Sequence, residues 1–346
     1  MWCGFWSFSC AQLPISPYFP MENMSKCSII DEKAEGKIWG MEDYIYWHLP
    51  GFSVFRDLNS TLIDVMQEYP NCFYDNYRVG SVYGTFPGAI WNGGRTVLGF
   101  CPKNEIERTI QLYNSKNVPM RFTWTNPLIE ERHLDDTFCN LIMQMADNGK
   151  NQVLVNTDIL EKYLRKNYPN FKFISSTTKR ITDPDKLHDE LKKDYFMVVL
   201  DYDMNHNEEV LKGLEPMADR VEILVDEICF PNCPNRLKHY RDEAMKQLQY
   251  EVAKPFPCPN RQEKKTFADC MNKPAFISRN QMHDYINRGF RNFKLVGRGL
   301  PQSVVVDSYM YFLVKEDSQV FVKGELGKRL LDKAKKREEL RKSVRR

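Results

Sequence analysis

The sequence predicts an α/β fold, a (β/α)8 barrel of the TIM-barrel type, and three observations support this prediction. From residue 96 onward, short apolar runs alternate with stretches of helical periodicity, the order typical of parallel strands joined by crossover helices. Eight such runs are present, which is the number that closes a barrel. Polar residues follow almost every run, as expected where strand ends surround a barrel mouth.

The predicted barrel spans residues 96–322 and is assigned element by element. Its eight strands are predicted at 96–101, 120–125, 152–156, 171–175, 196–201, 221–226, 275–278 and 293–296. Helical patterns lie between them at 104–114, 135–147, 158–167, 185–193 and 208–217. Asn104, Thr157 and Asp183 are expected to cap three of these helices.

The residues outside the barrel are assigned to three further segments. Residues 1–40 show neither helical nor strand periodicity and are interpreted as a mobile leader. Residues 41–95 are aromatic-rich and contain the turn Asn92-Gly93-Gly94-Arg95, and they are interpreted as a cap over one end of the barrel. Residues 323–346 hold 11 Lys/Arg and 4 Asp/Glu, or +7, within a chain of net charge +3. This basic tail is expected to be a helix that could hold nucleic acid or an acidic partner.

No run of 18 apolar residues is present, so no membrane-spanning helix is predicted. The apolar start of the chain lacks the basic segment of a secretory signal. The ten cysteines are therefore expected to be reduced thiols or metal ligands, and the protein is expected to be cytoplasmic.

Four cysteines, Cys229, Cys233, Cys258 and Cys270, lie within 42 residues after the sixth predicted strand. They fall in an enlarged loop, 227–274, inside a 54-residue interval between strand starts where the others run from 18 to 32. Prolines beside Cys233 and Cys258 fix the local backbone, which suits ligands of set direction. The spacing C-x3-C-x24-C-x11-C favours a four-thiolate site without specifying the metal.

Polar residues at the strand ends predict a ring around the active mouth of the barrel. The ring comprises Asn126, Asn156, Ser176, Thr177, Asp201, Asp203, Asp226, Glu227, Ser278 and Arg298. Glu227 and Arg298 are the candidate catalytic, substrate-facing groups. Arg298 lies between two glycines, and its planar guanidinium suits a carboxylate or phosphate.

Several common catalytic motifs are absent from the sequence. A radical SAM triad fails because residue 236 is Arg, and no phosphate loop, H-E-x-x-H zinc motif or G-x-S-x-G elbow occurs.

The segment Val-Glu-Ile-Leu-Val-Asp-Glu-Ile-Cys at 221–229 leads from a strand to a cysteine, and Asn-Phe-Lys-Leu-Val-Gly-Arg at 292–298 forms a late strand. These two segments, with the middle strands at 152–156 and 171–177, resemble the collagenase-like peptidase family, which includes the UbiU and UbiV proteins of oxygen-independent ubiquinone synthesis. The family's cysteine spacing is not reproduced, and Val296 stands where a glutamate is usual.

The resemblance implies a barrel in which Cys229, Cys233, Cys258 and Cys270 hold a [4Fe–4S] cluster. The function it implies is redox or oxygen-independent hydroxylation chemistry at the barrel mouth. Two alternatives stay open: a peptidase-like hydrolase with a structural zinc on the same cysteines, and a non-catalytic binding module braced by the metal.

Overall fold

The computed structural model describes residues 44–251, 254–258 and 265–344 of the 346-residue chain. The predicted leader, residues 1–40, lies outside the described residues.

Eight parallel strands form a closed barrel in chain order, and β8 pairs with β1. The strands are β1 Ile45–Pro50, β2 Tyr77–Gly84, β3 Met120–Trp124, β4 Gln152–Val155, β5 Lys172–Ser175, β6 Met197–Val199, β7 Val221–Leu224 and β8 Asn292–Lys294. The predicted (β/α)8 fold is therefore confirmed.

Helices follow the strands and pack around the barrel. They are α1 Arg56–Glu68, α2 Lys103–Asn114, α3 Thr137–Ala146, α4 Asp158–Asn167, α5 Pro184–Lys192, α6 Glu208–Leu214, α7 Arg236–Gln249, α8 Phe267–Met271, α9 Arg279–Asn287, α10 Gln302–Leu313 and α11 Gln319–Val344. In the described part of the chain, no helix is both long and apolar enough to cross a membrane.

Two predicted strands and the predicted cap are wrong. The segment 96–101 is irregular because Gly99 has a φ of +126° and Pro102 stands at the start of α2. The run 275–278 is not a strand of the barrel: it leads directly into α9, which Ser278 caps. The two remaining barrel strands, β1 and β2, come instead from residues 41–95.

The predicted helix caps have mixed outcomes. Asp183 accepts a hydrogen bond from the backbone of Lys186 and caps α5, as predicted. Thr157 occupies the cap position of α4 but makes no side-chain capping bond. Asn104 lies inside α2, whose cap position is Pro102.

The interior of the barrel contains an apolar cluster and a charged group. The apolar cluster, Leu154, Ile174, Met197, Val199 and Leu224, comes from β4 to β7. Alternation along β1, β3, β7 and β8 also directs charged and polar side chains into the interior. Four of these side chains form an interior charge network: His48, Arg121, Glu222 and Lys294.

The basic tail is helical, as predicted, and the first half of its helix, α11, packs against the folded body. Val322 and Leu326 are buried, and Arg329 makes a bidentate ion pair with Glu68 of α1. Lys333 donates hydrogen bonds to the hydroxyls of Ser60 and Thr61. Part of the basic charge is thus used within the fold, and the nucleic-acid or acidic partner stays a prediction.

Candidate functional site

Two adjoining cavities occupy the carboxyl end of the barrel, the end at which barrel enzymes carry their active sites. The inner cavity, of about 90 Å³, lies in the mouth among residues at the ends of β2, β3, β5, β7 and β8. The outer cavity, of about 260 Å³, lies under the β7–β8 connection. Arg95, Glu227 and Tyr240 line both cavities, so the two are neighbours.

The β7–β8 connection forms the outer cavity because it is long enough to hold three helices, α7, α8 and α9. Its thiols reach the cavity from separate segments. Cys229 follows β7, Cys258 lies between α7 and α8, and Cys270 is in α8. A capping box between Thr266 and Asp269 begins α8 and so fixes the direction of Cys270.

Three of the four predicted ligands, Cys229, Cys258 and Cys270, line the outer cavity. Cys233 is not among the lining residues, but it lies close enough to Cys229 to raise the pKa of that thiol. The side chains as they stand do not form a ligand set. Among the residues that the structure describes, no group of three or more His, Cys, Asp or Glu is arranged to hold a metal ion.

Burial and nearby carboxylates keep two of these thiols protonated. Burial, followed by the electrostatic effect of Glu227 and of the neighbouring Cys233, raises the pKa of Cys229 to about 12. Burial also raises the pKa of Cys270 to about 12, and Asp226 and Glu227 add to the effect. A thiolate is the nucleophilic form of cysteine, so neither residue is suited to nucleophilic catalysis in this environment.

Glu227 lies between the two cavities and is 8% exposed. Its carboxylate accepts a hydrogen bond of 3.0 Å from the backbone N–H of Cys229. Burial raises its pKa above the usual range for a glutamate. Glu227 is therefore joined directly to the cysteine loop and faces both cavities.

Arg298 lines the inner cavity, and within the described residues its guanidinium hydrogen-bonds to neutral oxygens. Nη1 donates to Asn92 Oδ1 at 3.1 Å and to Thr123 Oγ1 at 2.9 Å, and Nη2 donates to the carbonyl of Gly93 at 3.4 Å. Burial, with Arg95 nearby, lowers the pKa of Arg298 to about 10, so the side chain stays cationic at neutral pH. It forms no ion pair with Asp226, whose carboxylate accepts from Val296 N and Ser308 Oγ.

The predicted polar ring is only partly assembled at the cavities. Ser176 and Thr177 join Glu227 and Arg298 in lining the inner cavity. Asp201 and Asp203 are instead paired with Arg180. The other members serve the fold: Asn126 and Asn156 hydrogen-bond to neighbouring loops, and Ser278 caps α9.

Several lining residues were not predicted from the sequence. Arg95 lies in a segment interpreted as a turn, and Tyr240 comes from α7. Lys294 and Thr123 are strand residues that alternation directs into the barrel. The period-two pattern of β3 and β8 could have indicated that Lys294 and Thr123 face the interior. Arg95 and Tyr240 have no comparable sequence signal.

Comparisons with known proteins give no family for this chain. The sequence matches no protein-family model and no curated protein. A solved structure, that of the U32 peptidase Mk0906, is similar over 75% of this chain and 94% of its own, with 14% identity and a TM-score of 0.48. No activity is transferred from a similarity at this level.

Proposed function

We propose that the protein is a thiolate–metal barrel protein in which Cys229, Cys233, Cys258 and Cys270 hold an iron–sulfur cluster, a [4Fe–4S] cluster, in the outer cavity. The observation that carries the proposal is the convergence of three thiols from separate segments on one cavity at the active end of the barrel. When bound, such a cluster supplies redox chemistry, here for electron transfer or oxygen-independent hydroxylation. Glu227 and Arg298 would face the substrate from the adjoining inner cavity.

The donor set fits the group chemically. Thiolates are the usual ligands of iron–sulfur clusters, and the four cysteines supply the number that a [4Fe–4S] cluster needs. A bound cation also removes the electrostatic obstacle to thiolate formation at Cys229 and Cys270, because coordination deprotonates a thiol outright.

Binding would require the four thiols to close on one another, since they are not yet arranged as ligands. Metal binding is then coupled to a rearrangement of the described segments that carry the four cysteines, as is common where a site is completed by its metal. We therefore expect metal removal to increase proteolytic cleavage within residues 227–274 while the barrel strands stay protected. Equal cleavage with and without metal would contradict this coupling.

The proposal predicts the metal content of cysteine variants purified anaerobically. Wild-type protein should carry about four iron atoms and four sulfides per chain and absorb broadly in the visible range. Cys270→Ser and Cys229→Ser should each lose most of the iron. Cys72→Ser is the matched control, because Cys72 precedes β2 at the opposite end of the barrel.

The outcomes separate the candidate functions. If wild-type protein carries roughly one zinc per chain and Cys270→Ser loses it, the thiolate site is supported and the iron–sulfur cluster is excluded. Wild-type protein without iron, sulfide or zinc, after preparation with all of them supplied, would remove the proposal.

A further inference from the structure

We propose that the inner cavity binds an oxoanion, the carboxylate or phosphate group of a small molecule, through Arg298, Arg95 and the hydroxyl groups around them. The proposed site is inferred from the geometry of the barrel mouth, and it requires no metal. Only the placement of the rest of the ligand beside the thiols rests on the proposed function.

The first argument is that Arg298 has no anionic partner within the part of the chain that the structure describes. A guanidinium carries five N–H donors in a planar fork, and three of them have the neutral partners given above. Arg298 is partly buried, and a cation withdrawn from water is normally paired with a carboxylate because removing a charge from water is costly. A ligand oxoanion would supply the missing charge and accept from the remaining donors.

The second argument is the charge balance around the cavity. Arg95, Lys294 and Arg298 line it, and Glu227 is the carboxylate that lines it with them. Lys294 lies 3.1 Å from Glu222, but Glu222 also pairs with Arg121, so two cations share one carboxylate beneath the cavity floor. The cations that line the inner cavity thus outnumber its lining carboxylates, although Glu243 of the outer cavity also acts on Arg95 and Arg298, and this excess of cations favours an anion.

The third argument is the supply of neutral donors and the size of the cavity. The buried Thr177 hydroxyl oxygen has no hydrogen-bond partner among the described residues, and Thr177 lines the cavity. A volume of about 90 Å³ is enough for a group of a few non-hydrogen atoms but not for a whole metabolite. The remainder of the ligand would extend past Arg95, Glu227 and Tyr240 into the outer cavity.

Gly94 keeps this site open. It has a φ of +77°, and a Cβ added there would lie 3.3 Å from Nη2 of Arg298. A side chain at this position would press on the guanidinium and occupy space at the cavity wall. Gly149 has a nearly identical φ of +76° with nothing within 4 Å of an added Cβ, so it has the same backbone conformation without the contact.

The test is isothermal titration calorimetry of the full chain with inorganic phosphate and, separately, with acetate at low ionic strength. Wild-type protein should bind at least one of them, and the tighter one identifies the group as phosphate or carboxylate. Arg298→Met should weaken binding at least about tenfold, and Arg298→Lys should give an intermediate loss because it keeps the charge without the fork. Arg165→Met is the control, since Arg165 is a partly buried arginine on α4 that pairs with Glu161.

A second pair of variants keeps the test decisive if Arg298→Met does not fold. Gly94→Ala and Gly149→Ala should lose similar stability from their backbone conformation, but only Gly94→Ala should weaken anion binding. No binding of either anion by wild-type protein, or equal binding by Gly94→Ala and Gly149→Ala, would overturn the inference. Iron and zinc are measured on the same samples, so loss of the metal site and loss of the anion site are scored separately.

Discussion

Glu222→Gln should lower the free energy of unfolding by about 3–5 kcal/mol, the usual cost of removing one partner from a buried ion pair. Glu222 is fully buried in the barrel and forms ion pairs with Arg121 and with Lys294. Although burial works against its charge, these two cations hold the pKa of Glu222 well below the usual range. Glutamine has the same shape but leaves both cations without a counter-charge.

His48 adds no further positive charge to the interior charge network. Burial and the nearby Arg121 guanidinium lower the pKa of His48 to about 3, so the imidazole is neutral. Its Nδ1 atom lies 2.8 Å from Ser81 Oγ, and its Nε2 atom lies 3.3 Å from Asn292 Oδ1. The interior charge network therefore depends on a single carboxylate.

Chemical denaturation of the variant measures this effect. Glu338→Gln is the matched control, because Glu338 pairs with Lys342 on the exposed end of α11, and its replacement should leave stability unchanged. A Glu222→Gln protein as stable as wild type would show that the interior charge network is not held by this carboxylate.

Glu190 should make the fold acid-sensitive. Although burial works against its charge, hydrogen bonds from Lys179, Lys193 and Ser175 lower the pKa of Glu190 from 4.5 to about 2. A carboxylate whose pKa is lower in the folded state stabilises the fold above its unfolded pKa. That contribution is lost as pH falls from about 4.5 toward 2. At about 1.4 kcal/mol per pKa unit, it amounts to ~3 kcal/mol.

Glu190→Gln tests this linkage when its unfolding free energy is compared with that of wild type at pH 7 and at pH 3. The variant should be less stable by ~3 kcal/mol at pH 7, and the difference should shrink by more than half at pH 3. A difference that is the same at both values would mean that the titration of Glu190 does not contribute.

The class of fold could be predicted from the sequence because apolar runs and helical patterns alternate with few interruptions from residue 120 onward. Six of the eight predicted strands coincide with β3 to β8. The predicted run at 275–278, which lies between the last two of them, is not a strand. β1 and β2 were missed because the aromatic segment around them resembles a helix followed by a hairpin arm. In β1, Trp47 faces the outer core while His48 faces the barrel interior, so the segment reads neither as a fully apolar strand nor as an amphipathic helix.

The site could be predicted only in part. The cysteines stand out by their density in one loop, and Glu227 and Arg298 by their positions at strand ends. Arg121 and Glu222 lie in otherwise apolar strands, where a charged residue indicates a buried partner, but the sequence does not tell which charges meet. Arg95 reaches the cavities only because the β2–α2 connection folds across the mouth, and such tertiary proximity has no local signal.

The central claim, that the four clustered thiols bind one metal centre, is tested most directly by a crystal structure of anaerobically prepared protein with anomalous data collected at the iron and zinc edges. We expect iron anomalous density in the outer cavity within about 2.3 Å of the sulfur atoms of Cys229, Cys233, Cys258 and Cys270. Clear density for all four side chains with no metal between them, or iron bound elsewhere on the barrel, would contradict the account.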